Sequence, residues 1–205
     1  MVEKEKEAEL LKLAIKAAKL GGEEIMKIYA QDFDVFNKED NSPLTIADEN
    51  ANNIIESLLK ETNIPILSEE GKHADFQERK KWSQLWIVDP LDGTKEFVKR
   101  NGEFTVNIAL VENGVPIMGV IFVPVMNCLY YSSSLGAFKE ENGKTKKLPI
   151  KNNRTNTVVV GSRSHQSPET SEYFQKLKKE HGEIKIVSMG SSLKICLVAE
   201  GKADI

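Results

Sequence analysis

Two short segments of the 205-residue sequence place carboxylates directly after an apolar run. In the first, Trp86-Ile87-Val88 leads to Asp89, and Asp92 follows three positions later, before Gly93 and Thr94. If a helix begins there, its first backbone N–H groups have no acceptor within the helix. Such a site suits a phosphate bridged by Mg²⁺, because hard cations prefer oxygen ligands and the N–H groups bind the phosphate. The alternative is an ordinary strand-turn-helix in which Asp92 caps the helix.

The second segment favours a metal site. Glu69 and Glu70 follow the apolar run that ends at Leu67-Ser68. Glu69 could join Asp89 and Asp92, and three close carboxylates repel one another strongly unless cations neutralise them. We therefore predict a cation site here, although adjacent glutamates are more often surface charge.

A third acidic segment, residues 38–48, leads into a predicted helix. Thr45 with Asp48 three positions later resembles a capping box, and apolar residues follow on one helical face. The helix is predicted to begin at Thr45, and capping alone is a sufficient explanation of these two residues.

The surrounding pattern predicts an antiparallel sheet with helices packed on it. Apolar residues recur at helical spacing in the first thirty residues. Strand signals dominate after residue 64, with Asn113-Gly114 and Asn142-Gly143 as hairpin turns. Strand, helix, strand and helix then alternate, as in an α/β unit. We predict an α+β protein with an N-terminal domain over 1–155 and a partial C-terminal α/β domain over 156–205.

Composition excludes several classes of protein. The net charge is −3, with 31 acidic and 28 basic residues, so no basic surface for nucleic acid is expected. Two cysteines, Cys128 and Cys196, exclude a disulfide scaffold and a cysteine-rich zinc site. Residues 113–138 are uncharged, but their Pro, Gly and Ser residues suit strands better than a membrane helix. The charged start lacks the apolar core of a signal peptide, which predicts a cytoplasmic location and leaves peripheral attachment to the inner face of a membrane open.

Three ordered motifs resemble the inositol monophosphatase superfamily of Mg²⁺-dependent, lithium-sensitive phosphomonoesterases. They are Asp40-x-Ser42-Pro43-x-Thr45-x-Ala47-Asp48, Glu69-Glu70 and Asp89-Pro90-Leu91-Asp92-Gly93-Thr94. The resemblance covers essentially the whole chain and implies the layered αβαβα sandwich of the sugar-phosphatase type. Lys95-Glu96-Phe97, where inositol monophosphatases usually have Thr-Asn-Phe, is similar to the 3′(2′),5′-bisphosphate nucleotidase branch. The implied reaction converts 3′-phosphoadenosine 5′-phosphate to AMP and phosphate, in the setting of sulfate assimilation.

The resemblance also implies roles for single residues. Glu69, Asp89 and the carbonyl of Leu91 would hold one Mg²⁺, and Asp89 and Asp92 would hold another, with Mn²⁺ as an alternative ion. Glu69 and Thr94 would orient or deprotonate the attacking water, and Asp48 would lie near a third, weaker metal position. The residues expected to contact the substrate are Glu69, Leu91, Asp92, Gly93, Thr94, Arg163, His165, Ser191 and Lys194.

Two later segments support the nucleotidase branch. Gly161-Ser162-Arg163-Ser164-His165 is similar to its nucleotide-binding Ser-Arg-Ser-His, and Gly190-Ser191-Ser192-Leu193-Lys194 to its Gly-Ser-Ser-x-Lys. Arg163, His165 and Lys194 would supply the cationic contacts that a second phosphate requires.

One metal-binding aspartate of the family has no counterpart in the sequence. In the family it lies in a Trp-Asp-Thr-Ala-type segment after the stretch that contains Asp204, and Asp204 does not match it. We therefore expect a shortened form with an incomplete second metal site. Two alternatives stay open: an inositol or sugar monophosphatase, and a metal-binding form without catalysis. A homodimer stays open as well.

Overall fold

The computed structural model describes residues 2–31, 43–71, 74–151, 153–163 and 167–205. Its helices are α1 Val2–Tyr29, α2 Pro43–Leu59, α3 Phe76–Arg79, α4 Thr94–Val98, α5 Pro168–His181 and α6 Leu193–Ala199. Its strands are β1 Ile66–Ser68, β2 Gln84–Asp92, β3 Thr105–Glu112, β4 Val115–Val123, β5 Cys128–Ser133, β6 Gly136–Glu141, β7 Lys144–Lys147, β8 Thr157–Ser162 and β9 Ile184–Met189.

Strands β1 to β7 form one sheet in chain order. Neighbouring strands run antiparallel except β1 and β2, which are parallel. The predicted antiparallel sheet is therefore confirmed apart from this edge. Asn113-Gly114 and Asn142-Gly143 form the predicted hairpin turns, and all four residues have positive φ, as a two-residue hairpin turn of this kind requires.

Helices α1 and α2 cover one face of this sheet. The small residues Ala14, Ala17 and Ala18 of α1 are fully buried, which lets the helix lie close to its neighbours. Helix α2 begins at Pro43 rather than at Thr45, because proline suits the first turn of a helix. Thr45 and Asp48 therefore lie inside the helix, and the predicted capping box is wrong.

Strands β8 and β9 form a separate two-stranded parallel sheet. Helix α5 connects them and begins as predicted, with Pro168 in its first turn and the Ser167 hydroxyl accepting the N–H of Thr170 at 3.3 Å. The layers alternate between helix and sheet, so the predicted α+β class is confirmed. The side chains that pack α5 on the small sheet are Val159, Phe174, Leu177 and Ile184.

Helix α6 lies between the two sheets. Its Leu193 and Cys196 pack against β5 of the large sheet through Cys128 and Tyr130, and the helix also contacts β8. The division into domains at residues 155 and 156 stays a prediction. In the described ranges no helix is long and apolar enough to cross a membrane, and residues 113–138 form β4, β5, the first half of β6 and the turns between them.

A buried ionic cluster fixes the end of α6. Glu200 is 2% exposed and accepts hydrogen bonds from the Tyr130 hydroxyl and from Lys139 Nζ, at 3.2 Å in the latter case. Lys202 Nζ lies 2.9 Å from the same carboxylate. Burial by itself would raise the pKa of Glu200, but the bonds from Tyr130, Lys202 and Lys139 together hold that pKa below its usual range.

Candidate active site

Strand β2 presents its two aspartates on the same side of the sheet. Asp89 pairs with Asn107 of β3, and Asp92 pairs with Thr105, so three steps along β2 match two steps along β3. In a regular strand, residues three apart point to opposite faces. The extra residue in β2 removes that difference, as a β-bulge does, and the carboxylates converge.

Asp92 is held by groups from another part of the chain. Its Oδ2 accepts the backbone N–H of Ser192 at 2.5 Å and lies 3.5 Å from the hydroxyl of Thr105. The residue at the cap position of α4 is Gly93, with a φ of +99°, so the alternative in which Asp92 caps the helix is wrong. A Cβ on Gly93 would lie 2.9 Å from the Glu103 carbonyl oxygen, which makes glycine necessary in this turn.

Asp48 is a buried carboxylate and Asp89 a partly buried one, and both have neighbours of the same charge. Burial raises the pKa of Asp89 to about 7, and the charges of Asp92 and Glu69 add to this effect. Burial also raises the pKa of Asp48 to about 8, with further contributions from Glu70, Asp89 and Glu69. Among the described residues, neither Asp48 Oδ1 nor Asp89 Oδ1 has a hydrogen-bond partner.

These observations fit a divalent cation. Buried carboxylate oxygens without partners are costly unless a positive charge compensates them, and Mg²⁺ prefers such ligands. Across the described part of the chain, no three His, Cys, Asp or Glu side chains already form a group that could hold a metal ion. The roles of Glu69, Asp89, Leu91 and Asp92 as metal ligands therefore stay predictions.

A cleft of about 480 Å³ opens beside Asp92. The turn that contains Gly93 and Thr94 forms one wall, and the segment before α6 forms the other. The remaining lining residues are Lys95, Glu96, Ser162, Gly190, Ser191, Ser192, Lys194 and Ile195.

The structure brings some predicted substrate contacts to this cleft and not others. Ser191 lines it with a φ of +48°, and its carbonyl oxygen accepts a hydrogen bond from Lys194 Nζ at 2.6 Å. Arg163 does not line the cleft, and its guanidinium is bound to Glu103. His165 lies outside the described residues, as do Asp40 and Ser42 of the first motif.

Sequence reasoning missed several polar residues at the site. Lys95 lines the cleft, and Ser192 donates to Asp92 and, through its hydroxyl, to Asn107 Oδ1 at 2.9 Å. The Asn107 side chain also bonds to Asp89 and lowers its pKa. Thr105 and Asn107 are polar residues at alternate positions at the start of β3, and the residues that follow them up to Val111 are apolar. This alternation is the signal that could have found them.

The metal-free protein is expected to lose stability as the pH rises from about 5 to 8. Asp48 and Asp89 have folded-state pKa values of about 8 and about 7, above their ordinary value of 3.8. The folded state therefore binds more protons over this window, and the free energy of unfolding falls as those protons are lost. Melting temperatures in a chelator at both pH values would measure the effect.

Two comparisons test this interpretation. Asp48→Asn should flatten the pH dependence, and Mg²⁺ should raise the melting temperature of the wild type more at pH 8 than at pH 5.5, because protons compete with the cation. A wild type and an Asp48→Asn variant with the same pH dependence would contradict the assignment to Asp48.

The fold is that of a class of phosphatases, and the chain belongs to the inositol monophosphatase family, whose sequence model matches residues 6–205. It is 47% identical over 192 residues to the 3′(2′),5′-bisphosphate nucleotidase CysQ of Escherichia coli K12, covering 92% of this chain and 76% of that protein. The Haemophilus influenzae protein of the same name is 36% identical over 203 residues, covering 95% and 73%.

Solved structures show the same similarity. The crystal structure of CysQ from Bacteroides thetaiotaomicron has a TM-score of 0.91 and 50% identity, over 96% of this chain and 78% of that one. Mycobacterium tuberculosis SuhB has a TM-score of 0.74 at 21% identity, over 97% and 76%. The second likeness concerns the fold alone.

Proposed function

We propose that this protein is a metal-dependent 3′(2′),5′-bisphosphate nucleotidase that releases the 3′-phosphate of 3′-phosphoadenosine 5′-phosphate and yields AMP. The observation that carries the proposal is the cleft in which Asp92 and the Gly93-Thr94 turn face Ser191 and Lys194. Relatives that are 46–48% identical over most of the chain and bear this activity in their names support it.

The carboxylates prepare the site for chemistry at phosphorus. One Mg²⁺ ion held by Glu69, Asp89 and the Leu91 carbonyl, and another held by Asp89 and Asp92, would supply an activated water and neutralise charge on the phosphate. Glu69 and Thr94 would orient the attacking water, and the Glu69 carboxylate would accept its proton. The first N–H groups of α4, which lack acceptors within the helix, would orient the phosphate oxygens. No covalent intermediate with the protein is needed.

The opposite wall is suited to the second phosphate of the substrate. Lys194 lines the cleft, and its Nζ donates to the Ser191 carbonyl. Lys95 also lines the cleft, next to the Gly93-Thr94 turn. Charge-assisted hydrogen bonds from a lysine to a phosphate are among the stronger polar contacts in proteins. A monophosphorylated inositol has no second phosphate for this wall, and we therefore place it second as a substrate.

Phosphate release from the two substrates tests the proposal. We expect kcat/KM for the bisphosphate nucleotide to exceed that for inositol 1-phosphate, and Lys194→Ala to raise KM for the nucleotide by about tenfold. The control is Lys178→Ala, which removes an exposed lysine of α5 outside the cleft. A preference for inositol 1-phosphate would contradict the proposed function. An unchanged KM in Lys194→Ala would show that Lys194 does not contact the nucleotide.

A further inference from the structure

The carboxylate of Glu103, near the start of β3, is bound by the residues that directly follow the two strands of the small sheet. Glu103, two residues before β3, accepts bonds from Arg163 Nε at 2.8 Å and Nη2 at 2.6 Å. It also accepts the backbone N–H of Gly190 at 2.8 Å. Arg163 follows β8, and its Nη2 donates in addition to the Ser188 carbonyl of β9 at 2.8 Å. Glu103 and Arg163 thus connect the ends of β8 and β9 to the segment before β3.

The backbone of Glu103 lies against two glycine turns. Its carbonyl oxygen would be 2.9 Å from a Cβ on Gly93 and 3.0 Å from a Cβ on Gly190. A Cβ on Gly190 would also approach Glu96 Cγ to 2.4 Å. A real Cβ essentially never comes as close to a backbone oxygen as it would at Gly93, and the contact at Gly190 would be tighter than most real Cβ contacts. Glycine therefore suits both positions. The two turns that form the cleft walls therefore meet at Glu103.

The ion pair has the geometry of a positioning contact. The Glu103 side chain is 13% exposed and the Arg163 side chain 42%, so the carboxylate is mostly shielded from water. A two-bond fork between guanidinium and carboxylate fixes the orientation of both groups. Beyond Gly190, Ser191 lines the cleft and Ser192 binds Asp92. A shift of the segment 188–192 would therefore move both Ser191, in the cleft wall, and Ser192, the hydrogen-bond partner of Asp92.

Building on the proposed function, we propose that Glu103 and Arg163 are positioning residues that hold the segment 188–192 at the correct distance from the Gly93-Thr94 turn. They act through Ser191, Ser192 and Lys194 and do not touch the substrate. This differs from the sequence-based expectation that Arg163 contacts the substrate directly. The two roles predict opposite effects of removing Glu103.

Glu103→Gln, Arg163→Gln and the double variant separate the two roles. Glutamine keeps an oxygen that can accept the Gly190 N–H but loses the charge that binds Arg163. If Glu103 and Arg163 form a clamp, that is, a pair that holds the segment 188–192 in place, each single variant raises KM for the bisphosphate nucleotide roughly fivefold. The KM of the double variant is then no higher than that of the single variant with the higher KM, because both changes break the same ion pair. If Arg163 contacts the substrate, only Arg163→Gln raises KM, and Glu103→Gln leaves it unchanged or lowers it by freeing the guanidinium. That second pattern, or no change in any variant, would overturn the clamp.

A control and an independent measurement complete the test. Glu140→Gln breaks the Lys19–Glu140 pair between α1 and β6, in which both side chains are 37% exposed and neither residue belongs to the cleft segments. This control should leave KM unchanged. KM does not depend on the amount of folded enzyme, so partial unfolding cannot imitate the effect. Amide hydrogen exchange over residues 186–193 should be roughly tenfold faster in Arg163→Gln, and unchanged exchange would overturn the clamp. Hydrogen exchange needs no substrate, so it tests the positioning role of Glu103 and Arg163 independently of the enzymatic activity. Failure of the wild type to release phosphate from the nucleotide would contradict the proposed function and would leave this test intact.

Discussion

Replacing Asp89 by asparagine is expected to lower kcat/KM for the bisphosphate nucleotide by at least about a hundredfold. The side chain is partly buried, its buried Oδ1 has no partner among the described residues, and it lies beside Asp92 and Glu69. Asparagine has nearly the same shape but no charge, so a cation held there loses a central ligand. Isothermal titration with Mg²⁺ should show binding in the wild type and none in Asp89→Asn.

The same substitution should not damage the metal-free fold. In the wild type, burial and the neighbouring charges raise the pKa of Asp89 to about 7, which means that its ionised form is disfavoured in the folded state. Removing that charge should leave the melting temperature in chelator at pH 8 equal to the wild-type value or higher. Glu183→Gln, at an exposed position before β9, is the control. Equal Mg²⁺ binding by wild type and Asp89→Asn would remove Asp89 from the predicted metal site.

The largest loss of stability is expected from Glu200→Ala, at about 3–5 kcal/mol. The side chains of Glu200 and Lys139 are 1% and 7% exposed, so the substitution leaves the Lys139 ammonium buried without its main partner. It also removes the acceptor of the Tyr130 hydroxyl. Because α6 begins directly after Ser191 and Ser192, a less stable α6 should also loosen the cleft wall that these two residues form. Denaturant unfolding followed by circular dichroism would measure the change in free energy.

A second partner of the same lysine provides the control. Glu141 lies 3.3 Å from Lys139 Nζ, but its side chain is 45% exposed. Glu141→Ala should therefore cost less than about 1 kcal/mol, because exposed ion pairs contribute little. The folded-state pKa of Glu200 is below its ordinary value, so its contribution is present at neutral pH and is lost as the pH falls through that pKa. Equal costs for the two substitutions would contradict the importance of the buried cluster.

The sequence predicted local structure correctly where a few neighbouring residues decide the backbone conformation. The hairpin turns at Asn113-Gly114 and Asn142-Gly143 and the start of α5 at Ser167 follow from the backbone preferences and hydrogen-bonding groups of a few adjacent residues. Family membership followed from motifs in a fixed order, which requires no knowledge of distances. The carboxylate segments themselves were found in the same way.

The sequence pattern was misleading where burial decided the outcome. Thr45 and Asp48 have the spacing of a capping box, yet α2 begins earlier, and Asp48 becomes a buried carboxylate inside the helix. Spacing along the chain does not reveal which face of a helix packs against the sheet. For the same reason, the raised pKa of Asp48 could not be anticipated, because it depends on burial and on the charges of Glu70, Asp89 and Glu69.

By itself the sequence determined which residue types stand at the end of each apolar run, and therefore the carboxylates, the glycine turn and the kind of chemistry they can perform. Only the tertiary structure decided which of those side chains meet. The extra residue in β2 turns Asp89 and Asp92 to one side, and packing of α6 brings Ser192 to Asp92 across 100 residues of sequence. Arg163 was assigned from its motif, but the fold places it on Glu103. The physical reason is that hydrogen bonds and ion pairs between distant segments depend on how whole layers pack, and no local spacing encodes that arrangement.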